Sequence, residues 1–304
     1  MKESKFLERL RTGEPLILDG GFGTMLIAHG LPRGAPPDSW TLERPEILES
    51  IHRAYVEAGS EAVHANTFGA NAVRLARFGL ADKMAELNAA AVARARSAGA
   101  GFVIADVGPT GEFLPPVGTA TPEALRAAFV AQGQALAATD VDALHIETMT
   151  DLREAKLALE ALRESAPNLP VLVSLTFERK KKGFFTLMGD ALAAALREVA
   201  EAGAVAVGAN CSITSADMQV LATEALAAVQ VPVVLQPNAG TPEVVDDKVI
   251  YRQVPEAFAE DMAAAAAAGV RAVGGCCGTD PRFIVALCAR LGRARPPGPA
   301  EAAT

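Results

Sequence analysis

Aromatic side chains are scarce in this 304-residue chain, where they make up 5% of the residues and include a single tryptophan. Since 50% of the residues are nevertheless hydrophobic, alanine-rich helices and strands of valine and leucine must build the core. A chain of this length can bury a large core, either in one α/β barrel or in two ordinary domains.

Excess positive charge and long apolar segments are also missing. The formal net charge of −8 argues against nucleic acid and against an anionic membrane as partners. Residues 1–15 lack the continuous apolar stretch of a signal peptide, and the alanine-rich run 262–270 is too short to span a bilayer. Four cysteines without an export signal indicate a reducing compartment, so we expect a cytoplasmic protein.

Eight short apolar runs alternate with helical patterns along the chain. The runs are of the kind that is buried in a parallel sheet, and they end near residues 18, 65, 105, 146, 175, 210, 235 and 273. Helical patterns cover 45–58, 70–78, 82–98, 122–138, 151–165, 190–202, 215–228, 255–268 and 281–291. This count predicts an α/β fold, a single-domain (β/α)8 TIM barrel over residues 1–292, with an open doubly wound sheet as the alternative. The Pro/Ala-rich residues 293–304 are expected to form a disordered tail or a linker.

Polar residues are concentrated where the predicted strands end. In a (β/α)8 barrel the carboxyl ends of the strands form the face that holds the active site. A residue there can also simply cap a turn or satisfy loop backbone. The strand-end residues are Asp19, Asn66, Thr67, Asp106, Glu147, Thr176, Asn210, Cys211, Asn238, Cys276 and Cys277.

The cysteines carry the strongest functional signal. Cys276 and Cys277 follow the last predicted strand between glycines, and Cys211 ends an earlier one. Because successive strand side chains point to opposite faces, the adjacent pair can meet at one point only where the chain bends, which glycine permits. Three thiolates on one zinc ion leave its fourth tetrahedral position open, as in a catalytic site. A strained vicinal disulfide and two small buried residues are the alternatives. Cys288, on an apolar helical face, is interpreted as core.

Several motifs together resemble the homocysteine S-methyltransferase family. The matching segments, which span residues 10–291, are DGGFGTM at 19–25, NTF at 66–68, VGPT at 107–110, IET at 146–148, NC at 210–211, PNAG at 237–240 and GGCCGT at 274–279. The wording of the first and last segments is most similar to the homocysteine-binding module of cobalamin-dependent methionine synthases. The resemblance implies a barrel enzyme whose zinc is held by Cys211, Cys276 and Cys277.

The resemblance also implies the reaction. A thiol of ordinary pKa is mostly protonated at neutral pH, and zinc would keep the thiol of L-homocysteine in its nucleophilic thiolate form. Methylcobalamin is the expected methyl donor, presented at the barrel rim by a corrinoid-carrying domain or protein, since a corrinoid is too large to enter a barrel. S-methylmethionine, S-adenosylmethionine and betaine are the alternative donors, and a binding module without activity of its own is a further alternative.

The expected substrate-binding residues follow from the same resemblance. Asp19 and Glu147 suit the substrate ammonium, and the backbone N–H groups of the turn formed by Gly21, Phe22, Gly23 and Thr24 suit its carboxylate. The turn alone would equally suit a phosphate. The polar residues Asn66, Thr67, Asn210 and Asn238 complete the predicted substrate site.

Two further features carry weaker predictions. The charge run at 178–183 is typical of a solvated loop, and docking of an acidic partner at the barrel mouth is the sharper alternative. His64 and His145 precede strand-end motifs, where a histidine is more often a packing residue than a ligand. An aldolase-like barrel would need a Schiff-base lysine at a strand end, and none of the predicted strand ends has one.

Overall fold

The computed structural model describes residues 4–246 and 248–293, and its centre is a ring of eight parallel strands. In chain order the strands of this ring are β1 Leu16–Ile17, β2 Ala62–Ala65, β3 Phe102–Val107, β4 Ala143–Met149, β5 Val171–Leu175, β8 Ala206–Thr214, β9 Val233–Asn238 and β12 Ala272–Val273. Neighbours in the sheet follow chain order, and β12 returns to pair with β1. The backbone N–H of Glu61 donates to the carbonyl of Ile17 over 2.9 Å, which brings the start of β2 against β1. The predicted (β/α)8 barrel is confirmed.

Helices cover the outside of the ring. They are α1 Lys5–Arg11, α2 Phe22–Ala28, α3 Trp40–Glu43, α4 Pro45–Ala58, α5 Ala72–Ala76, α6 Met84–Ser97, α7 Pro122–Ala137, α8 Leu152–Ser165, α9 Leu192–Glu201, α10 Ser215–Ala228, α11 Pro255–Ala267 and α12 Pro281–Arg290. Several begin as their sequences dictate. Thr121 caps α7 and Thr214 caps α10, each by accepting a backbone N–H, and proline occupies the first turn of α7 and α12.

Two cores stabilise the barrel. Inward-facing strand residues such as Leu16, Ile104 and Leu172 fill its amino-terminal end, where Phe6 and Leu10 of α1 close it. The second core lies between the sheet and the surrounding helices. Because apolar side chains fill one end of the barrel, a ligand would enter its interior from the carboxyl ends of the strands.

Short elements at the barrel mouth were not expected. A hairpin of β6 Glu178–Lys180 and β7 Gly183–Phe185 follows β5 and contains the charge run. A second hairpin, of β10 Glu243–Val245 and β11 Lys248–Ile250, follows β9. Strands of three residues are too short to give an alternating hydrophobic pattern. The glycine-rich turn predicted at 21–24 is instead the start of the helix α2, which runs from Phe22 to Ala28.

The ends of the chain bear on two predictions. Only Arg293 of the expected tail is described, and it pairs with Glu61 and Glu14, so the prediction for 294–304 lies outside the described residues. No helix within 4–246 and 248–293 has both the length and the apolar character needed to cross a membrane.

Gly208 gives a test of how tightly the sheet is packed. A Cβ atom at this position of β8 would lie 1.7 Å from the carbonyl oxygen of Val234 on β9. Gly208→Ala should therefore lower the free energy of unfolding by about 3 kcal/mol or more, measured by urea denaturation. Gly23→Ala, whose Cβ would meet no atom within 4 Å, should leave stability unchanged or raise it. Equal stability of the two variants would contradict the packing.

Candidate active site

The three predicted cysteines converge at the mouth of the barrel. The Sγ atoms of Cys211 and Cys277 are 3.9 Å apart, and all three sulfur atoms lie within 4.8 Å of one another. Sulfur ligands 2.3 Å from a tetrahedral zinc ion are about 3.8 Å apart. None of the three is in a disulfide. The donor set and its spacing therefore fit a zinc ion with three thiolate ligands.

An irregularity in β8 turns Cys211 toward the other two cysteines. Asn210 pairs with Gln236 and Thr214 with Asn238, so β8 uses four steps where β9 uses two. Cys211 and Ser212 both have φ near +59°, a conformation that is strained for residues with a side chain. Such bulges re-aim side chains next to active sites.

A glycine-rich turn places the adjacent pair. Cys276 donates its backbone N–H to the carbonyl of Pro237 over 2.8 Å, and Thr279 closes the turn by donating its N–H to the carbonyl of Cys276 over 3.1 Å. A Cβ at Gly275 would lie 2.3 Å from Oγ1 of Thr279, and one at Gly278 would lie 2.2 Å from the Tyr251 ring. Both positions therefore require glycine, as expected for a bend that brings two neighbouring sulfur atoms together.

The hydrogen bonds of Asn210 connect this turn to the end of β4. Its Oδ1 accepts the backbone N–H of Thr148, and its Nδ2 donates to Oγ1 of Thr148 over 2.7 Å and lies 3.9 Å from Sγ of Cys276. Hydrogen bonds from Cys276 and Cys277 lower the pKa of Cys211 to about 3. The hydrogen bond with Cys211, together with burial and the charge of Cys211, raises the pKa of Cys277 to about 12. The cluster thus favours one thiolate before any cation binds.

A cavity of about 350 Å³ opens beside the cysteines. Nine of the predicted site residues line it: Gly21, Phe22, Gly23, Thr24, Asn66, Glu147, Cys211, Cys276 and Cys277. The other four, Asp19, Thr67, Asn210 and Asn238, lie behind this lining. Thr67 has a visible structural task, because its hydroxyl donates to the backbone carbonyl of Asp106 over 2.7 Å and accepts the N–H of that residue.

Asp19 reaches the cavity only through His64. It is 1% exposed, and its Oδ1 and Oδ2 contact Nδ1 and the backbone N–H of His64 at 2.7 and 2.8 Å. Nε2 of His64 lies 3.0 Å from Nδ1 of His145, and Nε2 of His145 lies 2.8 Å from Oγ of Ser174. These four side chains form a hydrogen-bonded relay across the barrel interior. Its two histidines are satisfied by partners within the protein.

Of the two histidines in the relay, the one beside Asp19 is the one that favours a positive charge. Burial opposes a charged ring at His64, but the charge and hydrogen bond of Asp19 outweigh it and raise the pKa of His64. Burial and the neighbouring His64 hold the pKa of His145 far below its usual range. Burial also raises the pKa values of Asp106 and Glu147, and the charge of Glu147 raises that of Asp106 further. Two adjacent buried carboxyls on the cavity wall can hold a cation or share a proton.

Several residues of the cavity were not among the predicted site residues. They are Asp38, His64, Phe68, Arg74, Asp106, Thr148 and Gln236. Asp106 had a signal at a strand end, whereas Asp38 lies in a connection between elements, where no periodic pattern marks it. Arg74 lies within α5, where the helical pattern predicts the element and not the side chain's place in a cavity.

Three thiols therefore converge at the carboxyl ends of the strands of a parallel barrel, which is the face that holds the active site in this class of fold. The profile of the family described as Homocysteine S-methyltransferase matches residues 16–291, and the chain belongs to that family. The family predicted from the sequence is confirmed.

Curated relatives share much of this chain. It is 31% identical over 301 residues to a methionine synthase of Mycobacterium tuberculosis, covering 93% of this chain, and 32% identical over 263 residues to that of Mycobacterium leprae, covering 82%. The chain spans only 25% and 22% of the lengths of these relatives.

A solved structure resembles nearly the whole chain. The metallated form of the homocysteine methyltransferase MmuM from Escherichia coli superposes with a TM-score of 0.77 at 25% identity, over 92% of this chain and 98% of that one. Its apo form superposes with a TM-score of 0.71 at the same identity.

His52, which packs behind the cavity residue Phe22, allows a test based on the pH dependence of stability. Its ring is fully buried and stacks on Phe22 with centroids 4.6 Å apart, and neither nitrogen has a hydrogen-bond partner among the residues that the structure describes. Burial lowers its pKa from 6.5 to about 4. Between pH 6.5 and about 4 the unfolded chain therefore binds more protons than the folded chain. The free energy of unfolding should fall by up to about 1.4 kcal/mol per pH unit as the pH drops through this range. Denaturation at several pH values should show that His52→Phe loses this contribution.

The matched control is His29→Gln, at an exposed histidine. It should keep the pH dependence of the wild type. An unchanged slope in His52→Phe would contradict the assignment of a neutral buried ring.

Proposed function

We propose that this protein transfers a methyl group to the thiol of L-homocysteine, giving methionine, at a zinc ion held by Cys211, Cys276 and Cys277. The observation that carries the proposal is the convergence of three thiols on a cavity in a member of this family. A bound zinc ion supplies the Lewis acidity that keeps a thiol ionised at neutral pH. The homocysteine sulfur then displaces the donor from the methyl carbon.

The cavity wall supports one orientation of homocysteine. With its sulfur at the cysteines, its ammonium can meet the carboxyls of Glu147 and Asp106, which burial would otherwise keep protonated. The backbone N–H groups of Phe22, Gly23 and Thr24 belong to the first turn of α2, which has no intrahelical acceptors for them, and suit the carboxylate. Asp19 would act on the ammonium from behind, through His64.

The identity of the methyl donor stays a prediction. A corrinoid presented by another domain or protein is supported by the relatives named methionine synthase, which are about four times as long as this chain. A small donor that enters the cavity by itself is supported by the likeness to MmuM over nearly its whole length. A binding module without activity differs from both in forming no methionine.

Zinc binding is the first test. The purified protein should hold about one zinc ion per chain by elemental analysis, and Cys276→Ala/Cys277→Ala should lose it while its circular dichroism stays native. Methionine formation should fall at least about 100-fold in that variant, since loss of even an outer partner can cost that much. Cys288→Ala, at a buried cysteine whose thiol contacts the carbonyl of Gly59, is the control and should keep its zinc. Stoichiometric zinc in the double variant would refute the site.

Methyl transfer is the second test. Zinc-loaded protein is incubated with homocysteine and with methylcobalamin, S-methylmethionine, S-adenosylmethionine or betaine in turn, and methionine is measured by mass spectrometry. Formation of methionine with at least one donor is expected. If homocysteine binds in calorimetry and no donor yields methionine, the chain is a binding module. If homocysteine does not bind, the proposed function is wrong.

A further inference from the structure

Asn210 connects three strand ends at the barrel mouth. It belongs to β8, and its side chain contacts Thr148 on β4 and Cys276 in the turn that follows β12. In the sheet β5 lies between β4 and β8, and β9 lies between β8 and β12. Asn210 is 1% exposed, so water hardly competes for these contacts. One amide therefore joins strand ends that the sheet itself does not pair.

The contact with Thr148 determines which way the Asn210 amide faces. A backbone N–H can only donate, so the atom 2.8 Å from the N–H of Thr148 is the amide oxygen Oδ1. Nδ2 then donates one hydrogen to Oγ1 of Thr148 over 2.7 Å. An amide nitrogen has two hydrogens, and the second is left for Sγ of Cys276, 3.9 Å away. Asn210 is thus oriented as a donor toward this sulfur.

The backbone of β4 is irregular at the point where Asn210 binds it. Between Ile146 and Met149 this strand takes three steps where its neighbour β5 takes two. Thr148 has φ of +60°, which is strained for a β-branched residue. Such strain persists only where the surrounding structure determines it, and it is found at functional sites. The two bonds to Asn210 are the contacts that hold Thr148 in this conformation.

A hydrogen bond to a thiolate changes how that sulfur binds a metal. The N–H draws off part of the negative charge, so the sulfur donates less electron density to the metal and lies in a fixed direction. Groups that hold metal ligands in this way contribute to affinity although they do not touch the metal. Asn210 lies behind the lining of the cavity, which suits a task toward Cys276 better than direct contact with homocysteine.

We propose that Asn210, anchored by Thr148, is a positioning residue that donates a hydrogen bond to the thiolate of Cys276 and sets its orientation and donor strength. This inference rests on the proposed function, because it gives Asn210 a task within the proposed zinc centre. It goes beyond that function in placing the control of one metal ligand at the end of β4, on the far side of β5 from β8.

The test replaces zinc by cobalt(II), whose thiolate complexes absorb through charge transfer from sulfur to metal. Asn210→Ala should bind cobalt about 10- to 100-fold more weakly than the wild type in titrations against a chelator. Its charge-transfer band should move to longer wavelength, because the electrons of the sulfur are no longer stabilised by the N–H. Thr148→Val, which removes only the hydroxyl that holds Nδ2, should cause a smaller shift in the same direction. Thr148→Ser restores the hydroxyl and should return the band to the wild-type position.

Asn88→Ala is the matched control. Asn88 is also a buried asparagine, its Nδ2 donates to the backbone carbonyls of Ala70 and Met84, and it does not line the cavity. This variant should lose stability in urea, as Asn210→Ala does, and keep the wild-type cobalt affinity and spectrum.

The possible results separate this inference from the proposed function. Wild-type affinity and an unmoved band in Asn210→Ala would overturn the inference and leave the proposed function standing. A weaker affinity with an unmoved band, shared by Asn88→Ala, would reflect lost stability alone and would also overturn it. If the wild type binds neither cobalt nor zinc, the proposed function is overturned, and the inference with it.

Discussion

The structure of the mouth depends on bringing three sulfur atoms within metal-ligand distance from strands that are not neighbours. Cys211 belongs to β8 and the adjacent pair follows β12, with β9 lying between these two strands. The sulfur atoms must therefore meet beyond the end of β9. Bringing them together requires strained positive φ angles at Cys211 and Ser212, and it requires glycine at 275 and 278. Elsewhere the barrel can be regular because the irregularity is confined to these two strand ends.

Below the sulfur atoms lies a layer of buried polar groups that an apolar core would not need. Asp19, His64, His145 and Ser174 satisfy one another in a single row, and Asp106 and Glu147 form a second, acidic group beside it. Burying charge costs free energy unless it is paired. The row is paired internally, whereas the acidic group faces the cavity. The part of this layer that is electrostatically incomplete is thus the part that a cationic ligand can reach.

Sequence patterns predicted the repeating parts of this molecule and the residues at its strand ends. The eight apolar runs, the three cysteines and Glu147 were all visible because strand ends in a barrel share one face. Asp38 was missed because it lies in an irregular connection, where position depends on tertiary packing such as its contact with Gly69. Arg74 was missed because a helical pattern predicts α5 but not which of its side chains lines a cavity. For the charge run, Arg179 pairs with Asp217 and Lys180 with Glu178. Docking of a partner at this hairpin stays a prediction.

The contact between Tyr251 and Gly278 has a mechanical consequence. Tyr251 directly follows the hairpin of β10 and β11, and its ring fills the space that a side chain at 278 would occupy. Burial raises the pKa of its phenol, and the neighbouring cysteines raise it further. The hairpin is therefore connected to the cysteine turn through the Tyr251 ring. A change in the hairpin that moves the Tyr251 ring would therefore also move the cysteine turn, because the ring lies against Gly278.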